Sequence, residues 1–148
     1  MKEKVYLDVC TLCRPFDDQS YLRIRLETEA VNLIFSKIRS GLFRLMVSPV
    51  HFREITDISE LKERIELESI LKNIGRLIEA DLRKTKKRTE ELMSLGFGVA
   101  DAAHVAFAEQ AEALFITCDD KLVKKCLKCD ISVWTGSPIA FCEKENLK

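Results

Sequence analysis

A small α/β sandwich, in which helices cover both faces of a short parallel sheet to give three layers, is the architecture this sequence predicts. Three observations predict it. Short, continuously apolar runs recur along the chain, the pattern of strands buried on both faces. Stretches of helical periodicity separate them and are long enough for the crossovers that parallel strands require. The length of 148 residues is that of one domain. Residues 1–148 are therefore read as a single unit, with a core over about residues 5–134 and a short peripheral C-terminal tail.

Taken in order, Val5-Tyr6-Leu7 is an apolar run that stops at Asp8 and reads as a buried strand. Arg14-Pro15-Phe16-Asp17-Asp18 carries turn residues. From Tyr21, the apolar residues Ile24, Val31, Ile34, Phe35 and Ile38 fall mostly at helical spacing, and Gly41 ends that helix. Phe43 to Val47 is a second strand. Ser48 then caps a short helix that starts at Pro49 and runs through Glu54. Ser59 to Leu95, interrupted by Gly75, reads as two helices forming an antiparallel arm. After the turn Gly96-Phe97-Gly98 comes a small-residue helix from Val99 to Ala108 that can pack closely. Leu114-Phe115-Ile116 is a third strand, Asp119 opens another helix, and Ile131-Ser132-Val133-Trp134 is a fourth strand.

Composition narrows the class. Lys and Arg total 24, as do Asp and Glu, so the formal net charge is zero; 47% of residues are hydrophobic and 32% charged. That excludes disordered and low-complexity architectures. No apolar run approaches the ~18 residues of a membrane helix, and the stretch before Asp8 is too short for a signal-peptide core. The expectation is a cytoplasmic protein with no membrane partner. Balanced charge argues against whole-molecule attraction to nucleic acid but leaves room for a local basic patch. The six cysteines include Cys10/Cys13 and Cys126/Cys129 at CxxC spacing, yet more than a hundred residues separate the pairs. A compact zinc ribbon allows roughly 15–20, so the thiols are read as small buried hydrophobes rather than zinc or redox groups.

The informative feature is where the acids fall. Asp8 directly follows the first strand, Glu54 lies about one and a half helical turns past the second, and Asp119 comes soon after the third. Parallel strands share one C-terminal edge, where open α/β folds bind ligands. Asp101 opens a helix that can face the same edge. Singly, Asp119 and Asp101 read as helix-start acids and Glu54 as a solvated helix residue. Asp8, ending a buried strand, needs a partner. Brought together, unit charges ~4 Å apart repel by about 4 kcal/mol at an effective dielectric near 20. Such a cluster persists with some acids protonated or with a cation among them. Oxygen-only donors favour Mg²⁺ or Mn²⁺, the ions that activate water for phosphodiester hydrolysis.

The segments Tyr6-Leu7-Asp8, Ser48-Pro49 leading to Glu54, Ala100-Asp101-Ala102-Ala103-His104-Val105-Ala106 and Ile116-Thr117-Cys118-Asp119 resemble the PIN-domain nucleases, among them the VapC-like toxins of toxin–antitoxin pairs. The resemblance runs from about Val5 to Trp134. It implies a Mg²⁺- or Mn²⁺-dependent endoribonuclease with Asp8 and Asp101 as core metal ligands. Glu54 would be a ligand, direct or through water, and would orient the attacking water; Asp119 would complete the acidic pocket. Thr117 is the small hydroxyl such proteins carry before that acid. Members often have Ser or Asn two residues after the first Asp; here that place is Cys10, and Thr11 is the candidate to supply the missing hydroxyl.

Thr11 and Thr117 are thus candidate substrate contacts, as are Arg14 and Lys121, which lie near the predicted acidic edge. The basic run Arg83-Lys84-Thr85-Lys86-Lys87-Arg88 reads as a solvated helix face balanced by Glu79, Glu90 and Glu91. His104, one turn from Asp101, reads as a packed or supporting histidine, and Trp134 as core. The apolar stripes of the 59–95 arm suggest a homodimer interface, as relatives of this kind commonly form, and an antitoxin protein is a second expected partner beside RNA. Two rival readings stand: a non-catalytic PIN-like module that binds RNA or protein, for which Cys10 speaks, and a phosphoryl-transfer domain. The latter wants a second acid beside Asp8, and none is present.

Overall fold

The computed structural model describes residues 2–148. Strand β1 (Glu3–Leu7) lies in the middle of the sheet, flanked by β2 (Phe43–Val47) and β4 (Leu114–Ile116), with β3 (Gly75–Leu77) and β5 (Thr135–Gly136) at the edges. Every pairing is parallel; Val5 stands opposite both Leu45 and Leu114, and Ile116 opposite both Leu7 and Gly136. Among the described residues these five strands make one sheet in the order β3-β2-β1-β4-β5.

Two cores explain why the strands are apolar without alternation. Val5, Leu7, Leu45, Val47 and Ile116 face one side, where they meet Val31, Ile34 and Phe35 of α2 (Leu22–Arg39), Ile55 of α3 (Pro49–Thr56) and Leu67 and Leu71 of α4 (Leu61–Ile74). Tyr6, Met46 and Phe115 face the other side, where α5 (Leu82–Ser94), α6 (Val99–Ala111) and α7 (Asp120–Lys128) supply Leu92, Val105, Ala106, Ala108 and Leu122. Successive strand side chains point to opposite faces, so a strand buried on both must be apolar throughout. The three-layer α/β/α sandwich is the one the sequence predicts.

Three elements differ from the sequence expectation. Residues 59–95 do not form an antiparallel helical arm: Gly75 opens strand β3, and α4 and α5 lie on opposite faces of the sheet. A Cβ at Gly75 would stand 2.4 Å from the Leu71 carbonyl oxygen and 2.8 Å from Val47 Cγ1, so only glycine lets the chain turn out of α4 this close to β2. Of the apolar residues in this stretch, Leu67 and Leu71 enter one core and Ile78 and Leu92 the other, while Leu61, Ile65, Leu77, Leu82, Met93 and Leu95 stay exposed. The fourth predicted strand, Ile131–Trp134, is a bend; pairing begins at Trp134, whose carbonyl accepts from Phe115 N, and continues into β5. The indole rests on Gly136, where a Cβ would meet it at 2.5 Å. The C-terminal tail is not peripheral either. Helix α8 (Pro138–Lys144) packs on α2 and buries Phe141 completely, a contribution of about 2–3 kcal/mol for a ring of that size.

No helix among the described residues is long and apolar enough to cross a membrane.

Candidate active site

Strand β1 ends at Asp8, which caps the one-turn helix α1 (Val9–Leu12). Asp8 is only 4% exposed, and its carboxylate accepts hydrogen bonds from several side chains. Oδ1 takes the Thr11 amide at 3.3 Å, the Thr11 hydroxyl at 2.5 Å and the Cys10 thiol at 3.3 Å. Oδ2 takes the Thr117 hydroxyl at 2.7 Å. Oδ1 is thus saturated, while Oδ2 keeps acceptor capacity. Each threonine passes the connection on: Thr11 Oγ1 accepts from the Cys118 amide at 2.9 Å and Thr117 Oγ1 from the Asp119 amide at 3.1 Å. The two hydroxyls expected to touch substrate are instead committed to Asp8 and to the turn after β4.

Asp119 caps α7 through the amides of Lys121 and Leu122 and is exposed. Asp101, in the first turn of α6, is half-buried, and no hydrogen bond to it is recorded among the described residues. Burial, then the charges of Asp8 and Asp119, hold its carboxyl above the usual carboxylate value; Glu54 adds to them and His104 opposes. Asp101 therefore senses the three other acids, which arrive from β1, α3 and the start of α7.

The fourth acid, Glu54, extends from α3 and is bonded to His104 Nε2. The other ring nitrogen, Nδ1, lies 2.6 Å from the Tyr6 hydroxyl, which is also 2.8 Å from Ser48 Oγ. Burial drives the Tyr6 hydroxyl well above its ordinary pKa, so it keeps its proton. Beside it, His51 Nδ1 accepts from the Ser48 amide at 3.0 Å and Nε2 lies 2.7 Å from the Leu7 carbonyl. That arrangement needs the neutral ring with its proton on Nε2. Burial, aided by His104, lowers the His51 pKa to about 3. The sequence pattern sets His104 beside Asp101 but does not mark Tyr6, Ser48 and His51 as a buried polar group. The signal available was two histidines and a tyrosine inside otherwise apolar stretches.

The cations fall differently. Arg14 is engaged by Glu27 and Asp17, each at 3.0 Å, and does not stand free for a phosphate. Lys121 is exposed at the start of α7 beside Asp119. Arg23 grips Asp120 through two bonds of 2.7 and 2.8 Å, tying α2 to α7. Of the basic run on α5, Arg88 pairs with Glu109 and Glu91 and bonds the Asp130 carbonyl, while Arg83, Lys84, Lys86 and Lys87 are exposed. All six cysteines are free; burial pushes the thiols of Cys13, Cys118 and Cys126 up to about 12.

The acidic edge suits a hard cation by its chemistry: the donors are carboxylate oxygens, and no salt bridge to Asp8, Asp101 or Asp119 is recorded among the described residues. No group of three or more His, Cys, Asp or Glu residues there forms a ready-made metal cage. Mg²⁺ needs none, since it keeps several waters and takes one or two carboxylates.

Neither a protein-family model nor a curated protein matches the chain. Solved structures do. FitAB bound to an IR36 DNA fragment matches with a TM-score of 0.56 at 14% identity, over 90% of this chain and 94% of that one. FitAcB from Neisseria gonorrhoeae matches with a TM-score of 0.53 at 14% identity, over 91% and 98%. With its parallel sheet between two helical layers and its acids at the C-terminal edge, the chain has a PIN-like fold, the one seen in FitAB and FitAcB.

Proposed function

We propose that this chain is a metal-dependent endoribonuclease that hydrolyses RNA phosphodiester bonds, with Asp8, Asp101, Glu54 and Asp119 holding Mg²⁺ or Mn²⁺, and that it is the toxin of a toxin–antitoxin pair. One observation carries the catalytic part: burial and the charges of the three other acids together hold the Asp101 carboxyl above its ordinary value. Carboxylates gathered without paired cations are unfavourable unless a proton or a divalent ion joins them. The biological role rests on the PIN-like fold, the resemblance to VapC-like toxins and the structural likeness to FitAB and FitAcB. On the same basis an antitoxin protein and a second copy of the chain are its expected partners.

A bound Mg²⁺ or Mn²⁺ would supply a more acidic water and offset charge on the phosphate. The chain's own residues do the placing. Thr11, Thr117 and Cys10 fix the Asp8 carboxylate and leave Oδ2 as the oxygen with spare capacity. Asp101 and Asp119 stand at two helix starts, near enough for the charges of Asp8 and Asp119 to act on Asp101, and Glu54 is held by His104, where it would orient the attacking water. The cysteine two residues after Asp8 is exposed yet still donates to the carboxylate, and the Asp8 charge beside it favours the neutral thiol.

The test is cleavage of a mixed-sequence RNA with Mg²⁺ or Mn²⁺. Turnover should vanish on chelation and fall by about a hundredfold or more in Asp8→Asn and Asp101→Asn. RNA binding without turnover at any concentration of either ion would instead identify a non-catalytic PIN-like module.

A further inference from the structure

We propose that Tyr6, acting through His104, positions the Glu54 carboxylate at the acidic edge, so that β1 sets two of the four acids, Asp8 directly and Glu54 at second hand. The proposal rests on the metal-dependent reading above and concerns residues that reading does not use.

Glu54 is half-exposed, and His104 is the one partner recorded for its carboxylate among the described residues. Left alone, such a side chain samples several rotamers. His104 is fixed: it is 2% exposed, and both ring nitrogens are engaged. An ionised carboxylate only accepts, so Nε2 carries the proton towards Glu54 and, in the neutral ring, Nδ1 must accept. The donor at Nδ1 is the Tyr6 hydroxyl, itself fully buried, which takes a hydrogen bond from Ser48 Oγ in turn. Removing the Tyr6 hydroxyl frees the ring to rotate or change tautomer, and Nε2 then ceases to present its proton to Glu54. Ser48 precedes the first residue of α3 and Glu54 lies near its end, so the chain of bonds holds that helix at both ends. His104 and Asp101 lie three residues apart on α6 and so share a face; the hook therefore draws Glu54 towards Asp101. With both nitrogens engaged, His104 positions a carboxylate and is not itself a metal ligand. Partners of this kind typically govern metal affinity by 10–100-fold (about that range).

The test uses Mn²⁺ alone as probe, its free ion counted by electron paramagnetic resonance at fixed pH, on folded wild type, Tyr6→Phe, His104→Ala and His104→Gln. Tyr6→Phe keeps the buried ring and should weaken Mn²⁺ binding about tenfold; His104→Ala should weaken it further, and the amide of His104→Gln should restore part of the loss. In a Glu54→Gln background, Tyr6→Phe should have no further effect, which a merely structural role would not produce. Long-range ¹H–¹⁵N spectra of the wild type should show His104 protonated on Nε2, with the Nδ1 resonance displaced in Tyr6→Phe. Tyr6→Phe binding Mn²⁺ like wild type, an equal loss in the Glu54→Gln background, or a His104 proton on Nδ1 would each overturn the proposal and leave the metal reading standing. A wild type that binds no Mn²⁺ overturns both.

Discussion

Asp8 and Asp101 face the same edge of the sheet, and the fold treats them in opposite ways. Around Asp8, α1 and the turn after β4 deliver two hydroxyls, an amide and a thiol to one buried carboxylate. Around Asp101, α6 offers the carboxylate no hydrogen bond among the described residues, and burial first, then the neighbouring acids, push the carboxyl up. One side of the edge is built, and its neutral donors make a buried charge tolerable. The other side is left under electrostatic load. The difference teaches that acids converging at a sheet edge need not contribute alike: the first is part of the structure, and the second is held in place in spite of its surroundings.

Four measurements sharpen or break that contrast. The largest effect is expected from acid. His51 is held neutral inside the Asp8 side, with its pKa lowered to about 3 from an ordinary 6.5. Between those values the unfolded chain binds the proton and the folded one does not, so stability is full above about pH 6.5 and falls as pH drops towards 3. Urea unfolding at pH 7.5 and 4.5 should show a loss of a few kcal/mol, smaller in His51→Gln. Next, without divalent ions, Asp8→Ala should lower stability by about 2–3 kcal/mol by stranding the Thr11 and Thr117 hydroxyls, whereas Asp101→Ala should be neutral or slightly stabilising. Equal losses in the two variants would erase the distinction. Third, Thr117→Val should cost about 1–2 kcal/mol in the same assay. Smallest is Cys10→Ser, which keeps a donor to Asp8 and should stay within about 0.5 kcal/mol.

How much of this was legible in the sequence follows from the same physics. The central strands were readable because burial on both faces forces apolar runs such as Val5-Tyr6-Leu7, and the runs stop at acids or at Ser-Pro. Strand β3 was not, since Gly75-Arg76-Leu77 presents mostly exposed side chains inside a Leu- and Lys-rich stretch that scores as helix. Ile131, Val133 and Trp134 misled in the other direction: they are half-buried, as in a strand, but they pack as a bend. Helix α8 had a signal, because Ser137-Pro138 repeats the cap-and-proline start of Ser48-Pro49. The acidic edge was readable from parallel topology alone. What the edge rests on was not: Thr117 reaches Asp8 across 109 positions and Tyr6 reaches His104 across 98, distances in sequence that no local pattern encodes.

The most direct measurement is the titration of the Asp101 side-chain carboxyl, followed by its ¹³C resonance in the metal-free protein and again with Mg²⁺. The midpoint should lie above the ordinary 3.8, fall back in Asp8→Asn and fall when Mg²⁺ is added. A midpoint at the ordinary value that neither the substitution nor the ion moves would contradict this.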